Sequence, residues 1–133
     1  MYSKNDLLWF YKQMINAIKL IQSDANTQIN SLKGCCVTDE IALTFYNDVT
    51  DKAKILLNEN LINRYQLDLI NSINDKLEHM SEDTKLWSET ELKNNIQWDK
   101  YRQKGSELLV SLENNHKVDI LINEIEEEND WDF

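Results

Sequence analysis

Residues 4–32, KNDLLWFYKQMINAIKLIQSDANTQINSL, place Leu7, Tyr11, Met14, Ile18, Ile21 and Ala25 at alternating spacings of four and three, the repeat of one helical face. Lys12, Asn16, Lys19, Ser23, Asn26 and Asn30 keep the same repeat with polar side chains. Leu8, Ile15 and Ile29 widen the apolar stripe. The spacing predicts one helix of roughly 40 Å, ended by Gly34 as a left-handed cap. Trp9, inside this segment, is expected to pack in the core or against another helix.

The same two-sided pattern recurs downstream. Thr38 is the expected N-cap of a second helix, with Asp39 and Glu40 in its first turn, where the helix dipole favours negative charge. Its inner line is Ala42, Phe45, Val49, Ala53 and Leu56, and residues 58–60, Asn-Glu-Asn, form the break. A third helix over about 61–80 turns Ile62, Leu69, Ile73, Leu77 and Met80 inward and Arg64, Asp68, Asn71, Asp75, Glu78 and Glu82 outward. After a connection at 81–87, Ser88 and Glu91 form a capping box ahead of Leu92, with Trp87 as a candidate staple. One helix is expected from there to about 113, with Trp98, Tyr101, Gly105, Leu108 and Leu112 on one line. A mid-helix glycine costs roughly 1 kcal/mol against alanine, so Gly105 points to a close approach by another backbone. Asn114 and Asn115 stop that helix, and Val118, Leu121, Ile122 and Ile125 indicate a short last one, with a strand over 118–122 as the alternative.

Composition agrees with this pattern. The chain has two glycines and no proline, whereas hairpins and tight turns draw on both, which argues against an all-β fold. At 133 residues it is long enough to close one core and short for two. The expectation is all-α: a single antiparallel bundle of four to five helices, over residues 1–125, followed by an acidic aromatic tail at 126–133. That tail carries Trp131 and Phe133 among carboxylates, an aromatic pair that either folds back or is presented to a partner. No apolar run has the roughly 20 residues of a membrane span, and the N-terminal residues lack the apolar core of a signal peptide. A cytoplasmic protein without membrane contact is expected.

Formal net charge is −10, from 24 acidic and 14 basic residues, which repels phosphate backbones and favours encounter with basic partners. Nucleic-acid binding is therefore not expected. Chemistry is sparse. Cys35 and Cys36 are adjacent and read as reduced thiols, since a disulfide between neighbours requires a strained ring. Glu113 and His116 match Glu-x-x-His once, whereas a di-metal bundle site needs it twice, and a histidine near the last carbonyls of a helix is the simpler reading. The acidic pairs Asp48 with Asp51 and Glu124 with Glu127 have the spacing of magnesium ligands, without a lysine or arginine cluster to take a phosphate. Glycine-rich phosphate loops and nucleophile elbows are missing from the sequence. The expectation is no enzyme, no cofactor and no bound metal.

Small size, acidity, an asparagine-, lysine- and isoleucine-rich composition and the pattern Leu77, Met80, Trp87, Leu92, Trp98, Arg102, Leu108 and Leu112 resemble the helical immunity proteins encoded beside bacterial polymorphic toxins. The resemblance implies a cognate basic toxin, of nuclease type, as the partner neutralised by direct binding, and it transfers no binding residues. Charge supplies the candidates: Asp68, Asp75, Glu78 and Glu82 on the third helix, or Glu126, Glu127, Glu128, Asp130 and Trp131 in the tail. A phage-type acidic DNA mimic, a carboxylate-rich metal enzyme and a structural adaptor are the alternatives.

Overall fold

The computed structural model describes residues 2–32, 34 and 36–129, and those residues form helices joined by short turns, with no strand among them. The first expected helix is two. α1 (Lys4–Gln22) starts at a capping box of Ser3 and Asp6 and buries Leu7, Tyr11, Met14, Ala17, Ile18 and Ile21. It stops because two adjacent side chains take over the backbone groups. Ser23 Oγ donates to the Lys19 carbonyl at 2.6 Å, and Asp24 accepts from the Thr27 N–H at 2.8 Å as N-cap of α2 (Ala25–Ser31). The chain turns here, and Gln28 of α2 lies fully buried under the end of α1, its Nε2 donating to the Leu20 and Ile21 carbonyls at 3.2 and 3.0 Å. Gly34 adopts the left-handed conformation expected of it, φ +88°.

α3 (Val37–Phe45) begins after Cys36, not at Thr38. Thr38 is inside the first turn and 2% exposed, so its hydroxyl is not placed to cap, whereas Asp39 and Glu40 keep their first-turn positions. A π turn, Tyr46–Thr50, leads without interruption into α4 (Asp51–Asn58). The break falls where expected. Asn60 takes a left-handed φ of 61°, the Asn60 N–H donates to Leu57 and the Leu61 N–H to Leu56, a Schellman end sealed by buried Leu56 and Leu61.

α5 (Arg64–Ser81) is capped reciprocally by Asn63 and Gln66 and buries Leu67, Leu69, Ile70, Ile73, Leu77 and Met80, while Ile62 is buried in the turn before it. The expected helix after Ser88 is again two, α6 (Glu89–Asn94) and α7 (Ile96–Leu112). Ser88 accepts from the Glu91 N–H, but the Glu91 carboxylate accepts from Asn95 Nδ2 and does not close a capping box. Asn95 Oδ1 meanwhile accepts from the Gln97 N–H and starts α7. Asn114, φ 55°, ends α7, Asn115 caps the next helix, and residues 118–122 lie inside α8 (His116–Asn129), which settles helix over strand.

Two of the five expected helices are thus split, and counting α3, the π turn and α4 as one leaves seven among the described residues. α7 is central. Gly105 meets Ile21 and Gln22 while Tyr11 Oη donates to the Leu112 carbonyl at 3.1 Å, which sets α7 antiparallel to α1. Gln66 Nε2 donates to the Ser111 carbonyl at 2.8 Å, and α5 packs on the other side of α7. The expected line Trp98, Tyr101, Gly105, Leu108 and Leu112 is buried throughout. Trp9, by contrast, is 61% exposed, because the buried stripe of α1 runs through its neighbours Leu7 and Tyr11. Among the described residues, no helix is long and apolar enough to cross a membrane.

Candidate functional site

All six outer positions of the third expected helix, Arg64, Asp68, Asn71, Asp75, Glu78 and Glu82, face solvent. Asp68 is paired with Arg64 at 3.2 Å across one helical turn, both side chains well exposed, a contact of little energetic weight. Asp75, Glu78 and Glu82 have no ion pair among the described residues. They span seven positions, roughly 10 Å of helix. Glu78 lies in the final turn of α5 and Glu82 is its C-cap. Both sit where the dipole's negative end disfavours carboxylates, at a cost of about 0.3–1 kcal/mol each.

Beside this row runs a groove of about 290 Å³ between α3, the π turn and α5, lined by Leu43, Tyr46, Asn74, Leu77, Glu78 and Ser81. Leu43 and Tyr46, 53% and 46% exposed, are its apolar wall. A polar chain crosses its floor: Thr50 Oγ1 donates to Asn74 Oδ1 at 3.2 Å, and Asn74 Nδ2 donates to Glu78 Oε1 at 3.4 Å. The outer carboxylate row is thus tied through Asn74 to the π turn, a helix irregularity frequent at functional sites. Sequence reading did not single out Leu43 or Tyr46. The available signal was their i, i+3 spacing outside the inner line of that helix.

The second candidate stretch is seated elsewhere. Glu126, Glu127 and Glu128 are exposed residues of α8, which packs on α1, whereas α5 packs on α3, α4, the π turn and α7. Glu128 is not a free carboxylate, since it accepts from Lys4 Nζ at 2.6 Å, with Glu124 3.2 Å from the same ammonium. Glu128 first and Glu124 second raise the Lys4 pKa. The segment set apart at residue 126 therefore begins as the last helical turns of α8. Asp130, Trp131 and Phe133 lie outside the described residues, as does Cys35, while Cys36 is a free, exposed thiol.

The Glu-x-x-His spacing does not fall on one helix. Glu113 is the C-cap of α7 and His116 the first residue of α8, so the pair straddles a turn and does not share a helical face. His116 thus opens α8 and does not belong to the last turn of α7. Asp48 is in the π turn and Asp51 pairs with Lys52 at 2.7 Å. Among the described residues no three His, Cys, Asp or Glu side chains converge to hold a metal ion.

Trp87 is partly buried against the core. Its Nε1 donates to Asp39 at 2.6 Å, which, together with a weaker contact from Cys36, holds the Asp39 carboxyl below the ordinary range, and its ring lies 5.4 Å from that of Trp98. No family model, curated protein or solved structure matches this chain.

Proposed function

We propose that this chain is a non-enzymatic acidic binding protein whose α5 row, Asp75, Glu78 and Glu82, docks a basic protein partner, with Leu43 and Tyr46 as the apolar anchors beside it. The observation that carries the reading is the position of these carboxylates. None has an ion pair among the described residues, and Glu78 and Glu82 crowd the negative end of the helix, an arrangement that costs stability and that cationic side chains of a partner relieve. An exposed tyrosine and leucine at the edge of such a field supply what charge alone does not, slow dissociation after steered encounter. The resemblance to helical immunity proteins makes the partner a cognate bacterial toxin of nuclease type, bound in the cytoplasm so that the acidic face occupies its nucleic-acid groove.

The test compares wild type with Asp75→Lys/Glu78→Lys. Proteins held from a lysate of the cells that make the chain are eluted along a salt gradient and identified. The expected result is a basic nuclease retained by the wild type and lost by the variant. The variant itself is expected to unfold at equal or higher urea concentration, since a cation at position 78 suits the last turn of α5 and position 75 is exposed. Retention of an acidic or neutral partner, or undiminished retention by the variant, would overturn the proposal. Capture of many unrelated DNA-binding enzymes would turn it into the DNA-mimic reading.

A further inference from the structure

The groove at the seam between α5 and α7 is lined by more lysines than carboxylates, in a chain of net charge −10. Lys100 and Lys104, one turn apart on α7, face Lys76 from α5 across a groove of about 240 Å³ also lined by Gln97 and Tyr101. The one carboxylate there, Glu107, is engaged by Tyr65 Oη at 2.6 Å and by Lys104 at 3.6 Å. Lys76 and Lys100 have no ion pair among the described residues. Three ammonium groups less one carboxylate leave two positive charges in a chain whose net charge is −10.

A second, independent observation concerns Tyr101. The residue is 3% exposed, and its hydroxyl has no hydrogen-bond partner among the described residues. A sealed hydroxyl without a partner costs about 1–3 kcal/mol. Yet the single sealed, unpartnered side-chain atom among these residues is Arg102 Nε, so the Tyr101 oxygen keeps access to solvent. That access opens on the grooves Tyr101 lines, the lysine groove and an adjoining one shared with Lys76 and Gln97 and walled by His79, Met80, Leu86 and Ile96. Burial pushes the Tyr101 hydroxyl up to about 12, which keeps it a donor at neutral pH.

We propose that the α5–α7 groove binds a small phosphate monoester, its dianionic phosphate held by Lys76, Lys100 and Lys104 with Tyr101 as a donor from the floor, and its organic part lying against Met80, Leu86 and Ile96. Two positive charges match the dianion, and lysine ammonium, hydroxyl and the Gln97 amide supply donors for three phosphate oxygens. The adjoining apolar wall, with Ile96 65% exposed, favours a monoester over inorganic phosphate. The site is distinct from the acidic row on α5 and does not depend on its role.

The probes are phenyl phosphate and inorganic phosphate, followed by phosphorus NMR titration well above the second phosphate pKa of about 6. Saturable shifts are expected for wild type, with phenyl phosphate bound more tightly. Lys76→Gln/Lys100→Gln is expected to weaken binding at least about tenfold, and Tyr101→Phe about threefold to tenfold, with unchanged circular dichroism for both. Lys12→Gln/Lys19→Gln, on α1, serves as the control and is expected to leave binding intact. A non-saturable response, equal loss in the control pair, or no loss in Tyr101→Phe overturns the site as described. Equal affinity for the two probes overturns the role of the apolar wall.

Discussion

Gly105→Ala tests the close approach of α7 to α1. A Cβ at this position would stand 3.0 Å from Ile21 Cγ2, 3.2 Å from Gln22 Cβ and 3.4 Å from the Gln22 backbone nitrogen. Alanine in a helix interior gains about 1 kcal/mol over glycine. Against this stands the cost of overfilling a packed contact, typically about 1–3 kcal/mol. The costly end applies, because two of the three atoms met belong to the backbone or Cβ of α1 and move only if α1 moves, while Ile21 is 1% exposed and packed in the core. The net expectation is a destabilisation of about 2 kcal/mol, a fall in Tm of about 6–9 °C for a domain of this length. Gly105→Val should lose about 3 kcal/mol or more, since it adds two methyls and a branched Cβ. Urea and thermal unfolding followed by circular dichroism measure both. In a double-mutant cycle with Ile21→Ala, the Gly105→Ala substitution should cost at least about 0.5 kcal/mol less when the Ile21 branch is gone. If Gly105→Ala were stabilising by its full helix-propensity gain, or if the two sites were additive, α7 would not lie on α1 as described.

Gln28→Ala removes a fully buried amide that donates to two carbonyls of the last turn of α1 and accepts from Arg102 Nη2 at 3.3 Å; a loss of about 2–3 kcal/mol is expected in urea unfolding, with α2 detaching first in hydrogen exchange. For Trp87→Phe, the effect appears in acid. Because the Asp39 pKa is depressed in the folded state, its stabilising share is present above the ordinary carboxylate value of about 3.9 and is lost as pH falls through the folded value. Without the indole donor, Asp39 should titrate nearer the ordinary value by carbon-detected NMR, and the acid-induced drop in urea midpoint should shrink. An unchanged Asp39 titration would contradict the 2.6 Å hydrogen bond.

How far the site is legible in the sequence depends on what periodicity reports. Spacing assigns the carboxylates of α5 to an outer line, and they do face solvent, because a helix that buries Leu69, Ile73, Leu77 and Met80 must turn that line outward. The groove beside them is not legible. Its wall depends on a π turn, which inserts a residue and rotates the upstream part of the helix relative to the downstream part, and on the docking of that helix against α5. The lysine groove is hidden for a similar reason, since Lys76 and Lys100 are remote in the chain and meet only where α5 and α7 pack.

By itself the sequence determined an all-helical chain, the buried line from Trp98 to Leu112, the stop at Asn60 and the need for a close neighbour at Gly105, all consequences of backbone and side-chain properties that act within a few residues. Tertiary structure decided where helices break and which surfaces meet. At Ser23 and Asp24 the helical repeat continues unbroken on paper, yet the chain turns, because Ser23 and Asp24 take the local backbone groups, α1's last carbonyls find their donor in Gln28, and Ala25, Ile29 and Leu32 pack partly buried against the core. Asn95 likewise ends one helix and starts another while Trp98 donates to the Leu86 carbonyl at 2.9 Å. Such choices turn on side-chain hydrogen bonds, from the capping residues beside each break and from Gln28 and Trp98 to carbonyls seven to twelve residues earlier, whose energies of about 1 kcal/mol rival the local preferences that periodicity records.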